Sequence, residues 1–137
     1  MHYFANPLRF QRLADAIFPY ALVATLALAA VGLYGGLVLA PMDYQQGDAY
    51  RIIFVHVPAA WMALFVYLTL AVSAAVSIVW RHPLADLYGR AAAPVGAVFC
   101  LLALVTGAIW GKPMWGTWWV WDARLTSMLI LFFLYLG

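Results

Sequence analysis

Glutamate is absent from this chain, and charged residues of every kind make up only 9% of its 137 positions. Soluble domains carry about 25%, so too few charges remain to coat a water-facing surface. With five Asp and no Glu, no two carboxylates stand at a useful acid–base spacing within one segment. Cysteine is almost missing too. Cys100 is alone in an apolar run, which excludes an internal disulfide and any CxxC or CxxCH site. No glycine-rich loop follows a strand pattern, so nothing here cradles phosphate. The net charge of +2 is small and scattered, which argues against nucleic acid as a partner.

What remains is apolar: 68% of residues are hydrophobic and the mean hydropathy is +0.94. A spanning helix needs about 20 apolar residues, because a ~30 Å hydrocarbon core is crossed at ~1.5 Å per residue. Three segments reach that length, at about residues 17–40, 59–80 and 91–110. A fourth starts near Leu125 and is still apolar at Gly137, too short a stretch to cross a bilayer. The expected fold is all-α: a polytopic transmembrane helix bundle of three complete spanning helices and the start of a fourth. It forms a single domain over residues 1–137, read as the N-terminal fragment of a longer protein. Arg9 and Arg12 ahead of the first run, with Val38-Leu39-Ala40 after it, loosely resemble a cleaved signal. The run is well beyond the ~7–15 residues of a signal core, so a retained helix is expected.

Cytoplasmic flanks tend to hold the excess of Lys and Arg. An inside N-terminus puts Arg9, Arg12, Arg81 and Arg90 in the cytoplasm, and Arg51, Lys112 and Arg124 outside. Each outer cation has an Asp in its own loop: Asp43 and Asp48 with Arg51, and Asp122 with Lys112 and Arg124. Residues 41–57 and 111–124 then share the outer face, and a short basic inner loop spans 81–90. Proline and glycine mark the helix ends, with Pro58 opening the second helix and Gly111 and Pro113 following the third. Pro94 and Gly96 fall inside the third run, where they either kink it or let a neighbour approach closely. Thr69, Ser73 and Ser77 are at helical spacing and bond back to their own helix or to a neighbour.

Five of the seven tryptophans lie between positions 110 and 121: Trp110, Trp115, Trp118, Trp119 and Trp121. If the part after Pro113 is helical, Trp115, Trp118, Trp119 and Asp122 follow an i, i+3, i+4, i+7 pattern and line one face. Trp121 then points elsewhere. Two explanations stand side by side. Tryptophan is enriched at membrane interfaces as an anchor, yet belts scatter their indoles, and this cluster is compact and ends in Asp122 and Arg124. An apolar platform edged by charges suits a large planar ligand with an anionic rim, a description that haem meets. Four indoles could cover hundreds of Å² of a porphyrin at roughly 25 cal/mol per Å².

His56 precedes Pro58, within about a turn of the outer end of the second helix. Neutral imidazole is a common axial ligand to haem iron, although for a lone histidine an interfacial ring bonded to a backbone carbonyl is the commoner case. Arg51 is five residues before it, and guanidinium–carboxylate hydrogen bonds are among the strong ones. His2 in the N-terminal tail and His82 beside Pro83 on the opposite side do not join this group.

Trp115-Gly-Thr-Trp118-Trp119-Val-Trp121-Asp122-Ala-Arg124-Leu-Thr resembles the tryptophan-rich WWD signature of haem-handling membrane proteins. Asp43-Tyr-Gln-Gln-Gly, Tyr50-Arg51-Ile-Ile, His56-Val-Pro58-Ala-Ala and Gly111-Lys-Pro-Met resemble one branch of them, the haem exporter protein C (CcmC) family of the cytochrome c maturation system. The resemblance implies a non-enzymatic protein of the bacterial inner membrane, six spanning helices in full and N-terminus cytoplasmic. It implies haem b held at the periplasmic face and presented to a haem chaperone, beside the subunits of an ABC-type transporter. By match of motif His56 is an axial ligand, and Trp115, Trp118, Trp119, Trp121 and Asp122 form the platform. Arg51 and Arg124 are candidates for the propionates, with Lys112 a weaker one. A second ligand histidine is implied in a later outer loop. The rival reading is a structural membrane subunit whose tryptophans are interfacial anchors or a partner-docking surface.

Overall fold

A computed structural model describes residues 6–137. It is all-helical, and among the described residues the only pairing of β type is an isolated bridge between Asp43 and Gly47. Four α-helices follow in order: α1 (Pro7–Tyr34), α2 (Ile53–Trp80), α3 (Pro83–Trp115) and α4 (Ala123–Leu136). A π-helical turn, Gly35–Leu39, extends α1, and a 3₁₀ turn, Asp48–Ile52, leads into α2. Three of these helical stretches are long and apolar enough to cross a membrane. The chain is a membrane protein.

Several boundaries differ from the sequence expectation, each for a local reason. The helix expected at 91–110 runs from Pro83 to Trp115. Proline at the first position loses no intrahelical bond, so α3 starts there, and the ten-residue loop expected between these helices shrinks to Arg81 and His82. Arg81 makes that turn in the left-handed region, with φ 49°. At the other end, Pro113 stays inside the helix and withdraws only the N–H that would bond the Ile109 carbonyl. The stop is Gly116, with φ 74° and its N–H on the Lys112 carbonyl, the left-handed closure that glycine permits. Pro58 likewise lies inside α2 rather than opening it.

The packed interior joins α2, α3 and α4 through Ala63, Val66, Ala97, Cys100, Leu131 and Tyr135. Lipid tails are as apolar as leucine, so close packing and interhelical hydrogen bonds hold such helices together, not escape from water. Small residues permit the approach. Gly96 is buried, and a Cβ there would run into the Tyr135 ring, so close approach is the role of this glycine. The Tyr135 hydroxyl in turn donates to the Ala63 carbonyl of α2. Further bonds tie the end near the α2–α3 turn: Ser73 Oγ donates to the Ala85 carbonyl at 2.7 Å, and the Tyr88 hydroxyl to Thr69 Oγ1 at 2.7 Å. Each is worth about 0.6–2 kcal/mol in a membrane setting.

By contrast, α1 buries none of its residues. It meets the bundle at its far end, where Gly36 is buried against the Phe54 ring. Arg51 fastens that junction, its Nε on the Ala40 carbonyl at 3.2 Å and its Nη1 on the Leu37 carbonyl at 3.4 Å.

Candidate functional site

The candidate residues gather at the end of the bundle where α3 finishes and α2 begins. At ~1.5 Å per residue His56 is about 16 Å from the middle of α2, and Trp110 about 16 Å from the middle of α3. Both therefore fall at the edge of a ~30 Å hydrocarbon core. The segment that joins α1 to α2 meets α3 at this end. Asp43 Oδ1 accepts from the N–H groups of Gln45 and Gln46 at 2.9 and 2.8 Å, and Gly47 completes the turn at φ 58°. The turn presents Gln46, whose Oε1 accepts from Trp110 Nε1 at 3.0 Å.

His56 is half-buried and faces α3. Its Nδ1 is 3.0 Å from Thr106 Oγ1, and its ring lies over Gly107, where an added Cβ would come within 3.2 Å of Cε1. His56, Gly107, Trp110, Trp115, Arg124 and Met128 line a cavity of about 120 Å³. Three residues singled out in the sequence, His56, Trp115 and Arg124, thus meet at one place. Arg124 lies over the Trp115 ring, 5.6 Å from its centroid, and Trp110 meets that ring edge-on at 4.9 Å.

The expected helical stripe of tryptophans does not form. Trp115 ends α3, residues 116–122 are not helical, and α4 begins only at Ala123. The cause lies in two caps that override helical periodicity: Gly116 closes one helix and Asp122 opens the next. Asp122 Oδ1 accepts from the Leu125 N–H at 2.8 Å, the usual N-cap contact. Nor is the platform one flat plate. Trp119 and Trp121 meet edge to face at 5.3 Å with an interplanar angle of 76°, as Trp110 and Trp115 do at 81°. Trp118 and Trp121 are exposed, at 57% and 75%. The indole N–H of Trp119 is buried with no partner among the described residues.

Charges in the segment are paired locally. Arg124 Nη2 is 2.9 Å from Asp122 Oδ2. The Leu125 N–H and then Arg124 hold the Asp122 carboxyl below its ordinary range. Lys112 does not pair with Asp122. It donates to the Gly116 carbonyl at 3.0 Å and approaches the Trp118 ring at 5.8 Å, a cation placed where a helix C-terminus favours one. Arg51 contacts Asp48 at 3.3 Å besides the two carbonyls of the α1 junction, and it does not line the His56 cavity. His82 is at the opposite end, between α2 and α3, and His2 lies outside the described residues. Sequence reasoning missed Thr106, Gly107 and Gln46. Only the helical register linking Thr106 and Gly107 to Trp110 hinted at the first two.

Fold and site together define a polytopic helical membrane protein with one imidazole set among indoles and a guanidinium at the membrane edge. Comparison with known proteins narrows the class. The family described as heme exporter protein C matches residues 1–137. The chain is 55% identical to the protein of that name from Bradyrhizobium diazoefficiens, over 97% of this chain and 50% of the relative. It is 50% identical to the Escherichia coli K12 protein, over 100% of this chain and 56% of that one. A putative cytochrome c biosynthesis ccmC-like mitochondrial protein of Marchantia polymorpha is 58% identical over 80% of this chain and 48% of the relative. This chain belongs to the heme exporter protein C family, and it spans about half the length of the curated relatives it matches.

Proposed function

We propose that this chain supplies one wall of a haem site at the periplasmic edge of the bacterial inner membrane, with its N-terminus in the cytoplasm. The whole protein would present haem b there to a periplasmic haem chaperone during cytochrome c maturation, beside the subunits of an ABC-type transporter. It would perform no bond chemistry of its own. The observation that carries the reading is the meeting of His56, Trp115 and Arg124 at one cavity on the membrane edge.

The donor set suits the ligand. A metalloporphyrin asks for a nitrogen at its iron, apolar rings at its disc and cations at its propionates. His56, the indoles of Trp115, Trp118, Trp119 and Trp121, and Arg124 match those requests in order. The unpartnered Trp119 N–H suits an acceptor on the ligand. Arg124 is the nearer propionate candidate. Arg51 adds positive charge at the same end while bonded to the α1 junction, and Asp122 orients Arg124. At about 120 Å³ the cavity is smaller than the ~300–1,000 Å³ of sites that enclose a drug-sized ligand. The reading is therefore a supporting wall and an axial ligand, with one edge of the disc left open for collection.

In the full-length protein, His56→Ala should weaken haem retention and shift the Soret band. An unchanged spectrum with full retention would remove His56 from the site.

A further inference from the structure

We propose that Thr106 is a positioning residue: its oxygen holds the His56 ring as the Nδ1–H tautomer and leaves Nε2 as the bare nitrogen for an axial bond. The inference rests on the haem reading above and adds which nitrogen is offered and what sets it.

The Thr106 hydroxyl carries one proton and has three polar neighbours. Thr106 Oγ1 is 2.6 Å from the Leu102 carbonyl and 3.3 Å from that of Ala103. Both neighbours can only accept, and two oxygens 2.6 Å apart need a proton between them. A threonine hydroxyl has one proton, and this one is spent on the turn of α3 below it. The third neighbour, His56 Nδ1 at 3.0 Å, then meets an oxygen lone pair, so the ring nitrogen must be the donor. In the other tautomer two lone pairs would face each other across that distance. A neutral imidazole with its proton on Nδ1 presents Nε2 unprotonated.

Gly107 sets the depth of the same seat. The ring lies where a side chain at 107 would begin, 3.2 Å from Cε1, so glycine lets the imidazole come down onto α3 and reach Thr106. Metal-bound histidines are ordinarily held through the second ring nitrogen, which fixes the ring and raises its basicity. A hydroxyl whose own proton is already committed does this without adding a charge at the membrane edge.

The test uses the full-length protein in detergent or nanodiscs, with Thr106→Val to remove the hydroxyl and Thr106→Ser to restore it. In the haem-free protein, ¹⁵N ring shifts assigned by difference from His56→Ala should read Nδ1–H for His56, becoming a tautomer mixture in Thr106→Val. With haem added, Thr106→Val should lower affinity by about 10–100-fold and raise the haem reduction potential, because a less basic imidazole donates less to ferric iron. Thr106→Ser should return both toward the original. An Nε2–H signal in the haem-free protein would overturn the assignment. So would an unchanged reduction potential and affinity in Thr106→Val where His56→Ala has lost haem. Retention of haem by His56→Ala would instead overturn the ligand reading, and the haem-free tautomer measurement would still decide the Thr106 contact.

Discussion

Asp122 accepts the Leu125 N–H on one carboxylate oxygen and the Arg124 guanidinium on the other, while its carbonyl takes the Thr126 N–H at 3.1 Å. These bonds favour the ionised form, which is why its pKa is lowered. A carboxyl depressed in the folded state adds stability above the ordinary Asp range, and that contribution fades as pH falls through the lowered value. The start of α4 should accordingly hold at neutral pH and fray only below about pH 4. Asp122→Ala should speed amide exchange at Leu125 at neutral pH, whereas Asp122→Asn, which keeps a capping oxygen, should change it far less. Equal protection of Leu125 in all three proteins would exclude the cap. Both caps were legible: Gly116 stands between Trp115 and the indole-rich stretch 118–121, and Asp122 precedes an apolar run. The i, i+3, i+4 spacing of the tryptophans competed with them, and in the fold a glycine at φ 74° outweighs periodicity.

Among the elements, the contact of α3 with α4 depends on a missing side chain. Gly96 leaves room for the Tyr135 ring, and one turn further on Cys100 is fully buried with its Sγ 3.2 Å from the Met128 carbonyl. Gly96→Val should push the helices apart at a cost of about 1–3 kcal/mol and open Cys100 to a membrane-permeant maleimide that leaves the unaltered protein unlabelled. Equal, slow labelling of both proteins would show that the helices adjust around the added methyls. The centres of the spanning helices were readable from hydropathy, because lipid selects apolar residues over about 20 positions. Their ends were not. Hydrogen bonding continues past the hydrocarbon edge, so α3 begins at Pro83 and ends at Trp115, through residues whose polarity or ring suggests a loop.

At the scale of the molecule, α2, α3 and α4 form the packed body while α1 lies beside it with none of its residues buried. The indoles divide accordingly. Trp110 is tied to Gln46 and seated against Trp115, whereas Trp118 and Trp121 stand outward, an arrangement that interfacial anchoring also produces. Replacing Trp118 and Trp119 together by Phe separates the two roles. Anchoring tolerates the change, so the full-length protein should insert at its normal level. A fitted platform does not, and haem retention should fall about tenfold, the equivalent of ~1.4 kcal/mol. Undiminished retention would assign both rings to the belt. What the sequence determined by itself is the solvent and the inventory: helices in a membrane, and an imidazole, indoles and cations close to its edge. Those follow from residue-by-residue transfer into lipid and from local motifs. Only the tertiary structure decided which groups meet, because the deciding bonds join distant positions: His56 to Thr106 across 50 residues, Trp110 to Gln46 across 64 and Tyr135 to Ala63 across 72. Contacts of that span depend on how the helices pack against one another, which no local pattern of residues encodes.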